Sequence, residues 1–129
     1  MSDLLQKYQD LINQTKIYPQ EIGISYTSLG LAGEAGEIAN KVKKLYRDKG
    51  LLDIEKMACD VNCHTPKHEF SVVAEAKDDM KGELGDVMWY VVALAQEFGL
   101  SLEEIMEYNI EKLLGRRERG TLSGSGDNR

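Results

Sequence analysis

Two near-copies of one pentapeptide, Gly33-Glu34-Ala35-Gly36-Glu37 and Gly82-Glu83-Leu84-Gly85-Asp86, sit in stretches otherwise free of charge. Glu34 and Glu37 are the only charged residues from Thr27 to Asn40, and Glu83 and Asp86 the only ones from Gly82 to Gln96. A carboxylate inside an apolar helix is costly to desolvate and persists there only with a partner charge, a hydrogen-bond donor or a cation. Whatever this chain folds into must bring such a partner to each acidic pair, or bring the two pairs together around one.

Both pentapeptides fall in segments with helical periodicity. Neither strand alternation nor a hairpin signal occurs in the sequence, and its two prolines are Pro19 and Pro66. The pattern predicts an all-α protein, a bundle of about four main helices. The first starts at a Ser2-Asp3 cap and carries Leu4, Leu5, Tyr8, Leu11 and Ile12 on its apolar stripe. Pro19 separates it from a second helix running from Glu21 or Ile22 to Arg47, with Gly50 as its stop. The third starts within 70–74, ends at Phe98 and is closed by Gly99; its apolar residues include Met80, Leu84, Val87, Met88, Val91 and Leu94. Ser101 and Glu104 form a capping box for the fourth, whose stripe is Leu102, Ile105, Met106, Asn109, Ile110 and Leu113. Residues 1–115 are read as one helical domain, with 49–70 as an inserted connection that holds a short helix near Asp53–Ala58. Residues 116–129 are read as a tail, basic at Arg116, Arg117 and Arg119 and then rich in Gly and Ser, that a ligand or a neighbouring subunit would have to order.

Composition narrows the partners. A net charge of −6 and a pI near 4.9 argue against tight binding to duplex nucleic acid. No apolar run is long enough to span a membrane, and the start of the chain lacks the basic and apolar regions of a secretory signal. With Cys59 and Cys63 read as reduced thiols, the expected location is cytoplasmic.

Spacing alone does not mark the acidic pairs as special. The 22 acids make four pairs three residues apart, about the number that composition predicts. Glu75/Asp78 lies among Lys77, Asp79 and Lys81, and Glu104/Glu107 belongs to an acidic run, so both read as solvated faces. Glu34/Glu37 and Glu83/Asp86 differ in their uncharged surroundings. On a helix, Glu34, Glu37, Lys41 and Lys44 share one stripe, and Glu83, Asp86 and Tyr90 share another. Two carboxylates ~5 Å apart repel by roughly 3 kcal/mol at an effective dielectric near 20, and a divalent cation reverses that sign. Mg²⁺ prefers such hard oxygen ligands, and Mn²⁺ accepts the same set. Gly30, Gly33, Gly36, Gly82 and Gly85 each cost about 1 kcal/mol relative to Ala inside a helix, which predicts close approach of a second helix or a ligand. A tight helix crossing with outward-pointing acids is the alternative.

The stretch Leu31-Ala32-Gly33-Glu34-Ala35-Gly36-Glu37, followed by Glu83-Leu84-Gly85-Asp86-Val87-Met88-Trp89-Tyr90, resembles the E-x-x-E … E-x-x-D signature of MazG-type nucleoside triphosphate pyrophosphohydrolases. The likeness extends into Asn109-Ile110-Glu111-Lys112-Leu113 and covers roughly Tyr8 to Arg116. The resemblance implies an all-α bundle assembling as a homodimer or homotetramer. It also implies Mg²⁺-dependent cleavage of a nucleoside triphosphate between the α- and β-phosphates, giving the monophosphate and pyrophosphate. Glu34, Glu37, Glu83 and Asp86 would then be metal ligands, one of them serving instead to orient or deprotonate water. Lys44, Asn109, Lys112 and Arg116 would hold phosphate oxygens, and Trp89 and Tyr90 would contact base or sugar, with core packing the alternative for Trp89. The chain departs from the family in one respect. The 45 residues between Glu37 and Glu83 exceed the usual spacer, which implies an inserted connection or an extended third helix.

Other readings predict different experiments. Related enzymes of the same fold act on phosphoribosyl-ATP or on dUTP and dCTP. A non-catalytic assembly module would keep its properties when the acids are neutralised. Cys59, Cys63, His64 and His68 offer zinc-type ligands, but adjacent Cys63 and His64 fit one ion poorly; incidental placement in a surface insertion and redox chemistry are the alternatives.

Overall fold

A computed structural model of the chain describes residues 3–49 and 70–123. The short helix expected near Asp53–Ala58, the Cys/His group and the tail beyond 123 lie outside the described residues. Four α-helices and no strand make up the rest: α1 (Asp3–Thr15), α2 (Gly23–Lys49), α3 (Phe70–Glu97) and α4 (Leu102–Glu118), with a single 3₁₀ turn at Gln20–Ile22. The all-α expectation holds among the described residues. The long spacer resolves in part as helix, since α3 runs 28 residues and places Glu83 about halfway along.

Local sequence accounts for the helix ends. Pro19, extended at φ −60° and ψ 134°, opens the 3₁₀ turn, which passes directly into α2 at Gly23. Gly99, at φ +69°, ends α3 with two reversed bonds, Leu100 N–H to the Ala95 carbonyl (2.9 Å) and Gly99 N–H to the Gln96 carbonyl (3.0 Å). Ser101 and Glu104 then make the expected reciprocal cap: Ser101 Oγ accepts from Glu104 N–H at 3.2 Å, and Glu104 Oε2 accepts from Ser101 N–H at 2.7 Å. The other end of α4 corrects the sequence reading. The helix continues through Gly115 and stops at Gly120, again at φ +69°, where Thr121 N–H reaches the Arg116 carbonyl at 2.9 Å and Gly120 N–H the Arg117 carbonyl at 3.1 Å. Arg116 and Arg117 are therefore its last turn, where positive charge suits the helix dipole, rather than the start of a tail.

The chain divides into two compact units, Met1–Ile24 with Val92–Arg129, and Ser25–Val91. The first holds the fully buried Ile12 and Ala93, together with Val92 and Ala95. Gln9, buried, ties three segments: its Oε1 accepts from Leu102 N–H at 3.1 Å, capping α4, and its carbonyl accepts from Gln96 Nε2 at 3.3 Å. Glu97 closes the same unit. Its Oε1 accepts from Tyr18 Oη at 2.7 Å and pairs with Lys16 Nζ at 3.2 Å. Its carboxylate also lies in the space a side chain on Gly23 would fill, at the positive end of α2. The Tyr18 hydroxyl, with help from Lys16, holds the Glu97 carboxyl below the usual value of 4.5.

In the Ser25–Val91 unit the buried anchor is Thr27, with no exposed surface. Gly30 on α2 meets the ring of Tyr90 on α3, and any Cβ there would overlap the aromatic carbons. The glycine expectation holds at this one position. Around Gly33, Gly36, Gly82 and Gly85 the space beside each Cα is open among the described residues, so close helix approach is not what those four supply. Large apolar side chains stand uncovered in the same unit, among them Leu29, Leu84 and Met88, and in the other Leu4, Leu11, Met106, Ile110 and Leu113 from the expected stripes.

Tyr18→Phe is expected to lower stability by about 1 kcal/mol, measured by urea unfolding, because Glu97 loses its shortest hydrogen bond. A depressed carboxyl value stabilises the fold above the ordinary 4.5 and loses that contribution as pH falls through the folded value. The stability difference between wild type and Glu97→Gln should therefore shrink on acidification below about 4.5; a difference that stays constant down to pH 3 would remove the ionised carboxylate from the explanation. Gly30→Ala should cost roughly 1–3 kcal/mol by overpacking against Tyr90, whereas Gly36→Ala should leave protomer stability equal or higher by up to about 1 kcal/mol. Thermal unfolding of the two variants side by side checks both.

Candidate metal centre

The acids are placed by helix register. Glu34 lies one turn beyond Gly30 on α2, and Asp86 one turn before Tyr90 on α3. The Gly30–Tyr90 contact thus sits one turn, about 5.4 Å, from an acid on each helix and holds the two stretches close. The result is a convergent group: Glu34, Glu83 and Asp86 each present a carboxylate oxygen, all within 4.8 Å of one another. Glu34 and Glu83 are half-buried and Asp86 is exposed. Glu37, also expected among the ligands, is exposed on the next turn of α2 and is not part of this three-acid group.

Lys41 occupies a position that sequence spacing hinted at without a partner. Its Nζ lies 2.7 Å from Glu83 Oε1, with the two side chains 31% and 18% exposed. The bond to Glu83 raises the lysine's proton affinity above its ordinary value, reinforced by the nearby charges of Glu83, Asp79 and Glu37. Lys44, the lysine singled out for phosphate, instead lines a cavity of about 150 Å³ together with Lys41, Leu45, Asp48, Ala76, Asp79 and Met80. The pairing of Lys41 with Glu83 joins residues far apart in the chain, and only the fold reveals it.

Tyr90 is held from several sides. Its ring stands edge-on to Trp89 with centroids 4.9 Å apart and tilts against Tyr26 at 6.4 Å. Burial raises its phenol above the ordinary value, the Tyr26 hydroxyl and the negative charges of Glu34 and Asp86 adding to the effect. Tyr90 is therefore a neutral phenol at physiological pH, with two of the three clustered acids near enough to contribute. The remaining expected contacts lie on α4, which belongs to the other compact unit. Asn109 is exposed, Lys112 Nζ stands 5.8 Å over the Tyr108 ring, and Arg116 is buried, its carbonyl accepting from Thr121.

Three carboxylates without a compensating arrangement would repel strongly at this separation. Lys41 neutralises one of them. The donor set is all hard oxygen, with exposed Asp86 leaving room for water and further ligands, and it suits a divalent cation of the Mg²⁺ or Mn²⁺ type. A polyphosphate could complete such an ion's coordination without a preformed basic pocket.

Along 95% of its length, spanning 128 residues, the chain is 41% identical to "Gene 37 protein" of Mycobacterium phage L5, covering 96% of that protein. It is 33% identical over 88 residues to "Uncharacterized protein YvdC" of Bacillus subtilis (strain 168), covering 68% of this chain and 70% of the relative. No solved structure matches the chain at a significant level. Residues 24–121, which contain both acidic pairs and all of α4, match the MazG nucleotide pyrophosphohydrolase domain, and the chain belongs to that family.

Proposed function

We propose that this protein is a Mg²⁺-dependent nucleotide pyrophosphohydrolase that cleaves a (deoxy)nucleoside triphosphate between the α- and β-phosphates, releasing the monophosphate and pyrophosphate. The observation that carries the reading is the convergence of Glu34, Glu83 and Asp86 within 4.8 Å in a chain of the MazG family. These three residues would hold the cation, with Glu37 one turn along α2 supplying a further ligand or orienting the attacking water. A bound divalent ion supplies charge neutralisation for the polyphosphate and lowers the pKa of coordinated water. The chain's own residues do the positioning. Tyr90 backs the acids with a neutral ring wedged on Gly30, and Lys41 adds positive charge beside Glu83.

Substrate contacts extend the reading. Lys44 borders the cavity beside Lys41, and Asn109, Lys112 and Arg116 are the further residues this reading would have hold phosphate oxygens. The uncovered Leu29, Leu84 and Met88, with four open glycines nearby in the sequence, support assembly with further copies as a homodimer or homotetramer, which would bury these apolar side chains. Among the described residues no helix is long and apolar enough to cross a membrane, and the role fits housekeeping of a nucleotide pool.

Product analysis tests the reaction. Each common NTP and dNTP, incubated with Mg²⁺, should yield monophosphate and pyrophosphate for at least one base. Chelation with EDTA should abolish turnover. Glu34→Gln, Glu83→Gln and Asp86→Asn should each lower kcat/KM by roughly 100-fold or more with the helical circular dichroism spectrum retained. Release of orthophosphate in place of pyrophosphate, or full activity in the acid variants, would reject the proposal. Phosphoribosyl-ATP, dUTP and dCTP belong in the same panel, because selective turnover of one of them names the substrate.

A further inference from the structure

The proposed activity does not explain why a lysine should occupy the carboxylate of a metal ligand. Lys41 Nζ lies 2.7 Å from Glu83 Oε1, in hydrogen-bond contact. Lys41 stands seven residues beyond Glu34 on α2, and Glu83 is the half-buried α3 member of the three-acid group. A divalent ion held by the Glu83 carboxylate would share that group with the ammonium, and two like charges on one carboxylate disfavour joint occupancy. The lysine also has somewhere to go. Its side chain is 31% exposed and borders the cavity of about 150 Å³ that Lys44, Asp48 and Asp79 line. Its four-carbon stem is flexible, and a compact ammonium binds as a point charge without a fixed orientation.

We propose that Lys41 is a tethered counter-ion: it holds Glu83 until a divalent cation takes that carboxylate, then swings aside and offers its freed charge to the incoming polyphosphate. This inference rests on the proposed metal-dependent reaction and adds a positioning residue to it. One side chain would thereby set two affinities in opposite directions. It lowers the affinity for the cation alone, and it raises the affinity for nucleotide once the cation is bound. A lysine that merely stabilised the fold would move both the same way.

The experiment uses the full chain and Mn²⁺ as probe, with free Mn²⁺ read by electron paramagnetic resonance. Without nucleotide, Lys41→Gln should bind Mn²⁺ about three- to tenfold more tightly than wild type. Lys41→Arg, which keeps the charge and the bond, should stay within about twofold of wild type, as should Lys44→Gln, which removes a neighbouring charge. With Mn²⁺ saturating, an α,β-methylene triphosphate analogue should bind about three- to tenfold more weakly to Lys41→Gln. Unchanged or weaker Mn²⁺ binding by Lys41→Gln overturns the proposal, and so does equal tightening by Lys44→Gln, which would mean a general field effect. Should Lys41→Gln not fold, wild type decides through its ¹⁵N-labelled lysine ammonium signals during Mg²⁺ titration. The Lys41 signal should shift with the midpoint of cation binding, and a signal that stays still overturns the proposal. Cation binding without any Lys41 effect rejects this inference alone. No binding at millimolar Mg²⁺ or Mn²⁺ rejects the metal-dependent reaction and this inference together.

Discussion

Repulsion among three carboxylates is the constraint around which the Ser25–Val91 unit is built. Oxygens of Glu34, Glu83 and Asp86 lie within 4.8 Å of one another, and like charges brought that close repel. Helices do not adopt such an arrangement by default, since a small rotation of either would relieve it. The packing resists that rotation: Tyr90 is wedged on Gly30 one turn from Asp86 and Glu34 respectively, with Tyr26 and Trp89 against its ring. Lys41 then offsets part of the remaining cost by pairing with Glu83. The clustered acids and the steric fit sit on adjacent turns of the same two helices.

The two units are held by different means. In the one containing α1 and α4, a small set of fully buried groups, Ile12 and Ala93 with Val92 beside them, is supplemented by buried polar ties. Gln9 caps one helix and receives a hydrogen bond from another, and Glu97 gathers Lys16 and Tyr18 over the start of α2. In Ser25–Val91 the fully buried residue among those described is Thr27, while Leu29, Leu84 and Met88 remain uncovered. The clustered acids thus lie in the unit with the fewer buried residues among those described.

Much of this was legible in the sequence, because the relevant physics is local. Helix stops at Gly99 and starts at Ser101 follow from one residue's backbone freedom and one hydroxyl's reach, and both appeared where expected. The charge-free surroundings of Glu34, Glu83 and Asp86 pointed to a shared purpose, and the fold brings them together. Local signals failed where two residues carried the same one. Gly115 and Gly120 both advertise a helix end, and only the reversed bonds to Arg116 and Arg117 show that the second is used. They failed again for nonlocal facts. Lys41 and Lys44 are equivalent on a helical stripe until α3 places Glu83 beside the first. Five glycines looked alike as spacers, yet a ring fills the space beside only Gly30. The separation of Glu37 from the other three acids likewise depends on the facing helix, which its own stretch cannot encode.

The notch at Gly30 has an evolutionary corollary. Positions 30 and 90 share one volume, so neither is free to change alone: a methyl at the first requires the aromatic ring at the second to shrink or turn away. Because Glu34 and Asp86 stand one turn from that volume, a change at an uncharged glycine would be felt first as altered spacing between charges. Relatives that carry alanine or serine at the position of Gly30 should accordingly show a smaller residue at that of Tyr90, and the two exchanges should appear together along a lineage rather than singly.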